Sequence, residues 1–178
     1  GMAYTFFKAQ GFEIGNSLLE ADKVAYAKEI LAQGSDKLVF PVDCMITDFF
    51  DFDARKIGTL KEVSADAIPA GWQSLDIGSR SIETFRAVLE NAKTVIWNGP
   101  MGVFEIDETA RGTHAIADLL ARVTVKGATT VIGGGDSASA VNEAGVADKV
   151  SHVSTGGGAS LEFIEGKTLP GVAALTDK

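Results

Sequence analysis

Three segments of the sequence combine several glycines with polar residues, and each follows a short apolar run. They read Asn98-Gly99-Pro100-Met101-Gly102, Gly133-Gly134-Gly135-Asp136-Ser137 and Thr155-Gly156-Gly157-Gly158-Ala159. Because glycine has no Cβ, the backbone N–H groups of such a turn can approach a bound group closely. Where a helix begins at the turn, its unpaired N–H groups also carry partial positive charge, which is typical of a phosphate site.

Each of these turns also has a purely structural interpretation. A single Gly-Gly-Gly sequence is more often a tight turn than a site, whereas two at equivalent joints favour a phosphate ligand. Asp136 is either the N-cap of the following helix or a carboxylate ligand for Mg²⁺. Ser137 and Thr155 are either caps or donors to phosphate. The pattern is neither a Walker A loop nor a G-x-G-x-x-G fingerprint.

Elements of regular structure must position these turns, and the apolar spacing predicts them. Helices are predicted at 17–33, 81–91, 108–122, 137–144 and 159–165, and strands at 37–43, 59–63, 93–97, 128–132 and 149–154. The segment 46–72 is predicted to be irregular, with one or two short strands. Strands that alternate with helices predict the α/β fold class: three layers, with a mostly parallel, Rossmann-like sheet covered by helices on both faces. The glycine turns then lie at the carboxyl ends of its strands.

Length, composition and charge restrict the functional class. The chain has 178 residues, and 16 basic against 24 acidic residues give a formal charge of −8. This length predicts one domain over residues 1–178, and the negative charge argues against a nucleic-acid partner. The single cysteine, Cys44, excludes an internal disulfide, and no apolar run approaches the roughly 20 residues of a membrane-spanning helix. Since no signal-peptide pattern is present, we expect a cytoplasmic protein without a membrane partner.

The sequence resembles the C-terminal, nucleotide-binding part of phosphoglycerate kinase over essentially its whole length. The most specific blocks are the segment from Ile132 to Ser137, D-K-V-S-H-V-S-T-G-G-G-A-S-L from Asp148 to Leu161, and Glu165-Gly166-Lys167 with Pro170-Gly171-Val172. A further long match is V-I-W-N-G-P-M-G-V-F-E from Val95 to Glu105. Shorter matches are Gly1-Met2-Ala3-Tyr4-Thr5-Phe6, Pro41-Val42-Asp43 and Ile68-Pro69-Ala70-Gly71-Trp72.

The resemblance implies phosphoryl transfer between 1,3-bisphosphoglycerate and ADP in glycolysis, with ATP/ADP and Mg²⁺ as ligands. It implies catalytic positions beside the transferring group at Gly134, Gly135, Gly157 and Gly158, and a metal position at Asp136. Glu105 matches the residue that contacts the ribose. The implied nucleotide-binding positions are Gly1, Ser74, Asn98, Gly99, Pro100, Gly102, Val103, Phe104, Glu105, Gly133, Gly134, Gly135, Asp136 and Ser137.

The resemblance also implies that parts of the family's fold lie outside this sequence. These are the N-terminal domain, which holds phosphoglycerate, and the first strand–helix unit of the nucleotide domain. We therefore expect phosphoglycerate as a partner only where that half is supplied, and an inactive isolated chain. The alternative is a non-catalytic nucleotide- or phosphate-binding fragment or interaction module that self-associates through its open sheet edge. Ser74 replaces a glycine of the family's Trp-x-Gly-Leu-Asp pattern, where we expect its side chain to crowd the adenine.

Overall fold

The computed structural model describes residues 2–175, so the predicted position Gly1 lies outside the described residues. The chain forms two compact units. The first comprises the residues up to Val88 together with Met101–Ile116, and the second comprises Leu89–Pro100 together with the residues from Ala117 onward. The expectation of one domain over residues 1–178 stays a prediction.

Seven α-helices and ten strands, many of them short, are found in residues 2–175, together with short 3-10 turns. In chain order they are α1 (Met2–Ala9), β1 (Glu13–Ile14), α2 (Val24–Gly34), β2 (Asp43–Thr47), β3 (Phe50–Asp51), β4 (Lys56–Ile57), β5 (Leu60–Ser64), β6 (Ala67–Ile68), β7 (Gln73–Ile77), α3 (Ser79–Leu89), β8 (Thr94–Asn98), α4 (Arg111–Val125), β9 (Thr129–Gly133), α5 (Gly135–Glu143), β10 (His152–Ser154), α6 (Gly157–Ile164) and α7 (Pro170–Ala173). Strands and helices alternate from α3 to α6, as predicted.

The first unit is built on a three-stranded antiparallel sheet in the order β5-β2-β7. Two two-stranded pairs accompany it, β1 with β6 in parallel and β3 with β4 antiparallel. Its apolar core is a cluster of buried side chains from α1 and the strands, namely Phe7, Ile14, Cys44, Ile46, Ala65 and Ile68. Apolar residues that alternate along β2 reach this cluster because successive side chains of a strand point to opposite faces.

The second unit is built on a three-stranded parallel sheet in the order β10-β9-β8. The central strand β9 carries the buried residues Thr130 and Ile132, both without exposed surface. Because residues two apart in a strand share a face, Thr130 and Ile132 place one face of β9 in the interior, while Val131 on the other face is half-buried. Helices α5 and α6 follow β9 and β10 directly and contact this sheet.

The predicted α/β class with a Rossmann-like parallel sheet is confirmed. The strands predicted at 93–97, 128–132 and 149–154 are β8, β9 and β10, and the helices that follow the glycine turns start and end within three residues of the predicted limits. The short strand predicted at 59–63 is β5. The segment 46–72 is more regular than predicted, since it contains β3, β4, β5 and β6.

Two sequence-based predictions in the first unit are wrong. The segment 37–43 is not a strand: β2 begins only at Asp43, after Pro41, which has no N–H to donate to a ladder. The helix predicted at 17–33 begins later, with a short 3-10 turn at Ala21–Lys23 followed by α2. Ser17, where the predicted helix would begin, lies outside it, and its hydroxyl accepts the N–H of Ser74 at 3.0 Å.

Candidate functional site

The register of the parallel sheet brings the three glycine-rich turns to one edge. Asn98, the last residue of β8, pairs with Gly133, the last residue of β9, and Gly133 pairs with Ser154 at the end of β10. All three strands therefore end level with one another. Helix α5 begins at Gly135 and α6 at Gly157, so both helices point their N-termini toward this edge.

The two Gly-Gly-Gly turns are in direct backbone contact. The N–H of Gly134 donates to the carbonyl of Ser154 at 2.9 Å. A Cβ at Gly157 would lie 2.7 Å from Cα of Gly134 and 2.9 Å from Oδ1 of Asn98. Gly134 also has φ of +96°, which is in the region that favours glycine. Glycine at 134 and 157 is thus required by the packing of the turns.

Gly135 and Gly158 are glycines for which the protein supplies no such steric reason. A Cβ at either position would meet no atom within 4 Å, and both residues are exposed. In α5 the first intrahelical hydrogen bond runs from Ala138 N–H to Gly134 O, and in α6 from Ser160 N–H to Gly156 O. The earlier N–H groups have no intrahelical acceptor and are left for a ligand or water. Two helix N-termini thus present unpaired donors at one edge.

The structure shows whether the polar residues of the turns act as helix N-caps. The N-caps of α5 and α6 are Gly134 and Gly156, and no side chain caps either helix, so Asp136, Ser137 and Thr155 are not N-caps. Ser137 is buried, and its hydroxyl accepts the N–H of Gly99 at 2.7 Å, which ties the turn after β8 to α5. Asp136 is exposed and has no hydrogen-bond or ion-pair partner within residues 2–175.

The surroundings of Asp136 suit a single carboxylate ligand for Mg²⁺ better than they suit a metal site built from several protein side chains. The part of the chain that the structure describes has no group of three or more His, Cys, Asp or Glu side chains that could hold a metal. Mg²⁺ is commonly held by one or two carboxylates together with phosphate oxygens and water. A single unpartnered carboxylate on the first turn of α5 matches that requirement.

Four of the predicted nucleotide-binding positions lie in the first unit, on the segment that leads into α4: Gly102, Val103, Phe104 and Glu105. Val103 N–H donates to Leu75 O at 2.7 Å, and the N–H groups of Met101 and Gly102 approach Thr113 Oγ1 at 3.1 and 3.3 Å. A Cβ at Gly102 would collide with the backbone of Leu75 and Asp76, so this glycine allows the segment to lie against β7. Phe104 is buried and Glu105 is half-buried.

Ser74, in β7 of the first unit, is buried and fully hydrogen-bonded within the protein. Its hydroxyl accepts the Tyr4 hydroxyl at 2.8 Å, and its N–H donates to Ser17. The extra hydroxymethyl group is therefore accommodated by contacts of this unit. Whether it also crowds an adenine stays a prediction.

Asp76 was not singled out from the sequence, although it is the most unusual acidic residue of the first unit. Its carboxylate is 1% exposed and accepts the N–H groups of Gly112 at 2.6 Å and Ile77 at 2.8 Å. Burial raises the pKa of Asp76 to about 7, against the lowering effect of both hydrogen bonds and of Arg111. The signals in the sequence were its position between Leu75 and Ile77 and its place as the last residue of the Trp-x-Gly-Leu-Asp pattern that the sequence resembles.

A second buried carboxylate, Asp43, holds the N-terminus of α3. It accepts the N–H groups of Arg80 and Ser81 at 2.9 and 2.8 Å, the Ser81 hydroxyl at 2.5 Å and the Arg80 Nε at 3.2 Å. Burial favours the protonated form, but these hydrogen bonds outweigh it and hold the pKa of Asp43 below its usual value. Asp43 and Asp76 thus differ in pKa direction because Asp43 has a larger donor set.

The fold and the glycine turns define a class, the Rossmann-like α/β proteins in which helix N-termini meet at the ends of parallel strands. The family described as phosphoglycerate kinase matches residues 1–167, and the chain belongs to that family. None of the helices within residues 2–175 has the length and apolar content to cross a membrane.

Relatives and solved structures agree with this assignment. The chain is 54% identical over 178 residues to a phosphoglycerate kinase of Leuconostoc mesenteroides and 56% identical to one of Macrococcus caseolyticus, covering all of this chain and 43% of each relative. The structure of phosphoglycerate kinase from Coxiella burnetii superposes with a TM-score of 0.87 at 36% identity, covering 97% of this chain and 44% of that one. The Pyrococcus horikoshii enzyme gives 0.75 at 34% identity, with 97% and 42% covered. The chain therefore spans less than half the length of these relatives.

Proposed function

We propose that this chain supplies the ATP/ADP-binding part of a transferase of the phosphoglycerate kinase type. The reaction moves a phosphoryl group between 1,3-bisphosphoglycerate and ADP, a step of glycolysis. The observation that carries the proposal is the contact of the two glycine turns at Gly134 and Gly157, which directs the N-termini of α5 and α6 to one edge of the sheet. Membership of the family supports the same reaction.

In the proposed reaction an oxygen of the β-phosphate of ADP forms a bond to the phosphorus of the acyl phosphate. The bond from that phosphorus to the carboxyl oxygen breaks, and 3-phosphoglycerate leaves as a carboxylate. Negative charge is spread over the oxygens of the transferring group, so catalysis consists mainly of positioning and electrostatic stabilisation. The N–H groups of Gly135 at α5 and of Gly157 and Gly158 at α6 are donors suited to that task.

Asp136 is the residue proposed to hold Mg²⁺ beside the nucleotide phosphates. The ion, when bound, neutralises charge on the phosphate oxygens. The exposed, unpartnered carboxylate of Asp136 supplies the protein's contribution. Ser137 serves this arrangement indirectly, because its bond to Gly99 fixes the turn after β8 relative to α5.

The remaining nucleotide contacts are proposals carried over from the family. Asn98, Gly99, Pro100, Gly133 and Ser137 surround the edge where the glycine turns meet, and Glu105 is proposed to contact the ribose. Ser74, Gly102, Val103 and Phe104 are proposed to line the nucleotide cleft. We retain the proposal that the Ser74 side chain weakens adenine binding relative to glycine at that position.

Phosphoglycerate, the other substrate of the proposed reaction, is proposed to bind outside this chain. Since the chain spans about 43% of its relatives, we propose that phosphoglycerate binds only when the rest of the family's fold is supplied. The 178-residue chain alone is then expected to show no turnover. The cytoplasm is the proposed location, which suits a buried free thiol at Cys44.

Calorimetric titration of Mg·ADP into the 178-residue chain tests the proposed site. We expect saturable binding that Asp136→Ala weakens at least tenfold and that Asp118→Ala, which removes an exposed carboxylate from α4, leaves unchanged. Turnover is measured on the same samples with 1,3-bisphosphoglycerate. Absence of binding, or equal weakening by both substitutions, would contradict the proposal.

A further inference from the structure

A cavity of about 510 Å³ lies in the first unit between α3 and the first turns of α4. Three of the chain's five arginines line it: Arg80, Arg86 and Arg111. Glu83 is the only acidic side chain among its lining residues, and Ile82 and Ala115 supply apolar surface. Such a concentration of guanidinium groups is notable in a chain whose formal charge is −8.

The three arginines are unequally neutralised by the protein. Arg80 is committed to the fold, since its Nε lies 3.2 Å from the buried carboxylate of Asp43 and its Nη2 donates to Ser64 at 3.0 Å. Arg86 approaches Glu83 through Nη2 at 3.4 Å, but its Nε is buried and has no acceptor in the described part of the chain. Arg111, the first residue of α4, is exposed and forms no ion pair or hydrogen bond within residues 2–175; its charge acts electrostatically on the buried Asp76 without direct contact.

We propose that this cavity binds a small oxyanion with two or more negative charges, a phosphate or a carboxylate compound, with Arg86 and Arg111 as its main ligands. The proposal is independent of the proposed kinase function because none of these residues belongs to the glycine turns. To bind Arg86, the anion has to replace Glu83 as its partner. The pair of Arg80 with Asp43 is kept.

The chemistry of the lining favours this ligand class. A guanidinium group presents its donors in a planar fork that matches two oxygens of a phosphate or carboxylate. The Arg86–Glu83 pair joins side chains that are 35% and 64% exposed, and pairs of this kind contribute only about 0–1 kcal/mol. A multivalent anion can therefore displace Glu83. The volume is within the range of about 300–1,000 Å³ that is usual for small-molecule sites.

The test is calorimetric titration of citrate and, separately, of pyrophosphate into the 178-residue chain. The two probes distinguish a carboxylate ligand from a phosphate ligand. We expect at least one probe to bind, with Arg111→Gln and Arg86→Gln each weakening binding about tenfold or more. Arg122→Gln is the matched control, since it removes an arginine of the same helix outside this cavity and is expected to leave binding unchanged.

Pyrophosphate can also occupy the glycine turns, so its titration is repeated on Gly135→Ala. Binding that is lost in Gly135→Ala but kept in Arg111→Gln would support the nucleotide site and overturn the arginine site. Failure of both probes to bind, or a loss of binding in Arg122→Gln equal to that in Arg111→Gln, would also overturn the proposal. Circular dichroism on each variant confirms that the chain remains folded.

Discussion

Individual glycines of the two Gly-Gly-Gly turns have different physical roles. Gly134 and Gly157 leave no room for a side chain because the backbones of the two turns touch there. Gly135 and Gly158 face open space, so packing within the described residues does not require glycine at either position. Packing therefore requires glycine at 134 and 157 but not at 135 and 158, which is where we propose that a ligand approaches the backbone.

The pair Gly157→Ala and Gly158→Ala tests this distinction through stability alone. A methyl group at 157 would collide with the backbone of Gly134, and such overpacking typically costs about 1–3 kcal/mol. At 158 the methyl meets nothing, and alanine in a helix is favoured over glycine by up to about 1 kcal/mol. Chemical unfolding of both variants measures the difference. Equal destabilisation by the two substitutions would show that the turns do not touch as described.

Asp76 predicts a pH dependence of stability with a defined sign. Its pKa is about 7 in the folded chain, against about 3.9 for an unfolded aspartate. Between these values the unfolded state has lost the proton that the folded state still binds. The free energy of unfolding therefore falls as pH rises from about 4 to 7, by at most about 4 kcal/mol.

Comparison with Asp76→Asn isolates that contribution. The free energy of unfolding of the wild-type chain, minus that of the variant, is expected to decrease between about pH 4 and 7 and to be flat above pH 7. Urea unfolding at several pH values measures both curves. Parallel curves for the two proteins across this range would mean that Asp76 is ionised throughout, as its two N–H donors alone would favour.

Among the elements, those of the second unit could be predicted from the sequence and several of the first unit could not. Strands β8, β9 and β10 are short apolar runs that end in glycine turns and are followed by helical patterns, so local residue types were sufficient. Strand β2 was misplaced because the apolar run before Asp43 contains Pro41, and β7 was not predicted. Their antiparallel pairing depends on residues about 30 positions apart, such as Cys44 with Ile77.

For the candidate site too, the local residue pattern predicted some features and could not predict others. The glycine turns and Asp136 were evident from residue type and spacing. The contacts that fix the surrounding elements are long-range and invisible in a local pattern: Ser137 with Gly99, Asp43 with Ser81, and Asp76 with Gly112. The interpretation of Asp136 as the N-cap was wrong. Gly134, whose φ is positive and not helical, is the N-cap, two residues before Asp136.

The anchoring of α3 by Asp43 gives a prediction at the scale of an element. Asp43→Asn keeps the shape of the side chain but removes the charge that Arg80 and Ser81 contact. We expect destabilisation of about 1.5–3 kcal/mol near neutral pH, the usual contribution of hydrogen bonds to a charged group, because the Arg80 side chain that is left behind is 61% exposed. Because the folded pKa is lowered, this advantage of the wild-type chain is lost as pH falls below about 4. A deficit of the variant that persists unchanged in acid would contradict the assigned role.

On the scale of the whole molecule, the parallel sheet has two edges within the described residues. Strand β8 pairs only with β9, and its Ile96 is 44% exposed. An unpaired edge with an exposed apolar side chain is a surface for pairing with another chain. We therefore keep self-association as a prediction for the 178-residue chain.

Sedimentation equilibrium of the wild-type chain and of Ile96→Lys measures this association. A charged residue on an edge strand opposes pairing, so the variant is expected to be monomeric at concentrations where the wild-type chain dimerises. A wild-type chain that stays monomeric over the accessible concentrations would exclude edge pairing. Association of the variant equal to that of the wild type would exclude β8 as the edge involved.

The central claim, that the N-termini of α5 and α6 form a nucleotide-phosphate site, is tested most directly by thermal unfolding with and without Mg·ADP. Ligand at about a hundred times its dissociation constant adds roughly 2.7 kcal/mol, which raises the Tm of a chain of this size by several degrees. The account predicts that shift in the wild-type chain and in Gly34→Ala, a helical glycine in α2 with space for a methyl group. It predicts a much smaller shift in Gly135→Ala, although that variant is folded and at least as stable without ligand. No shift in the wild-type chain, or an equal shift in Gly135→Ala, would contradict the claim.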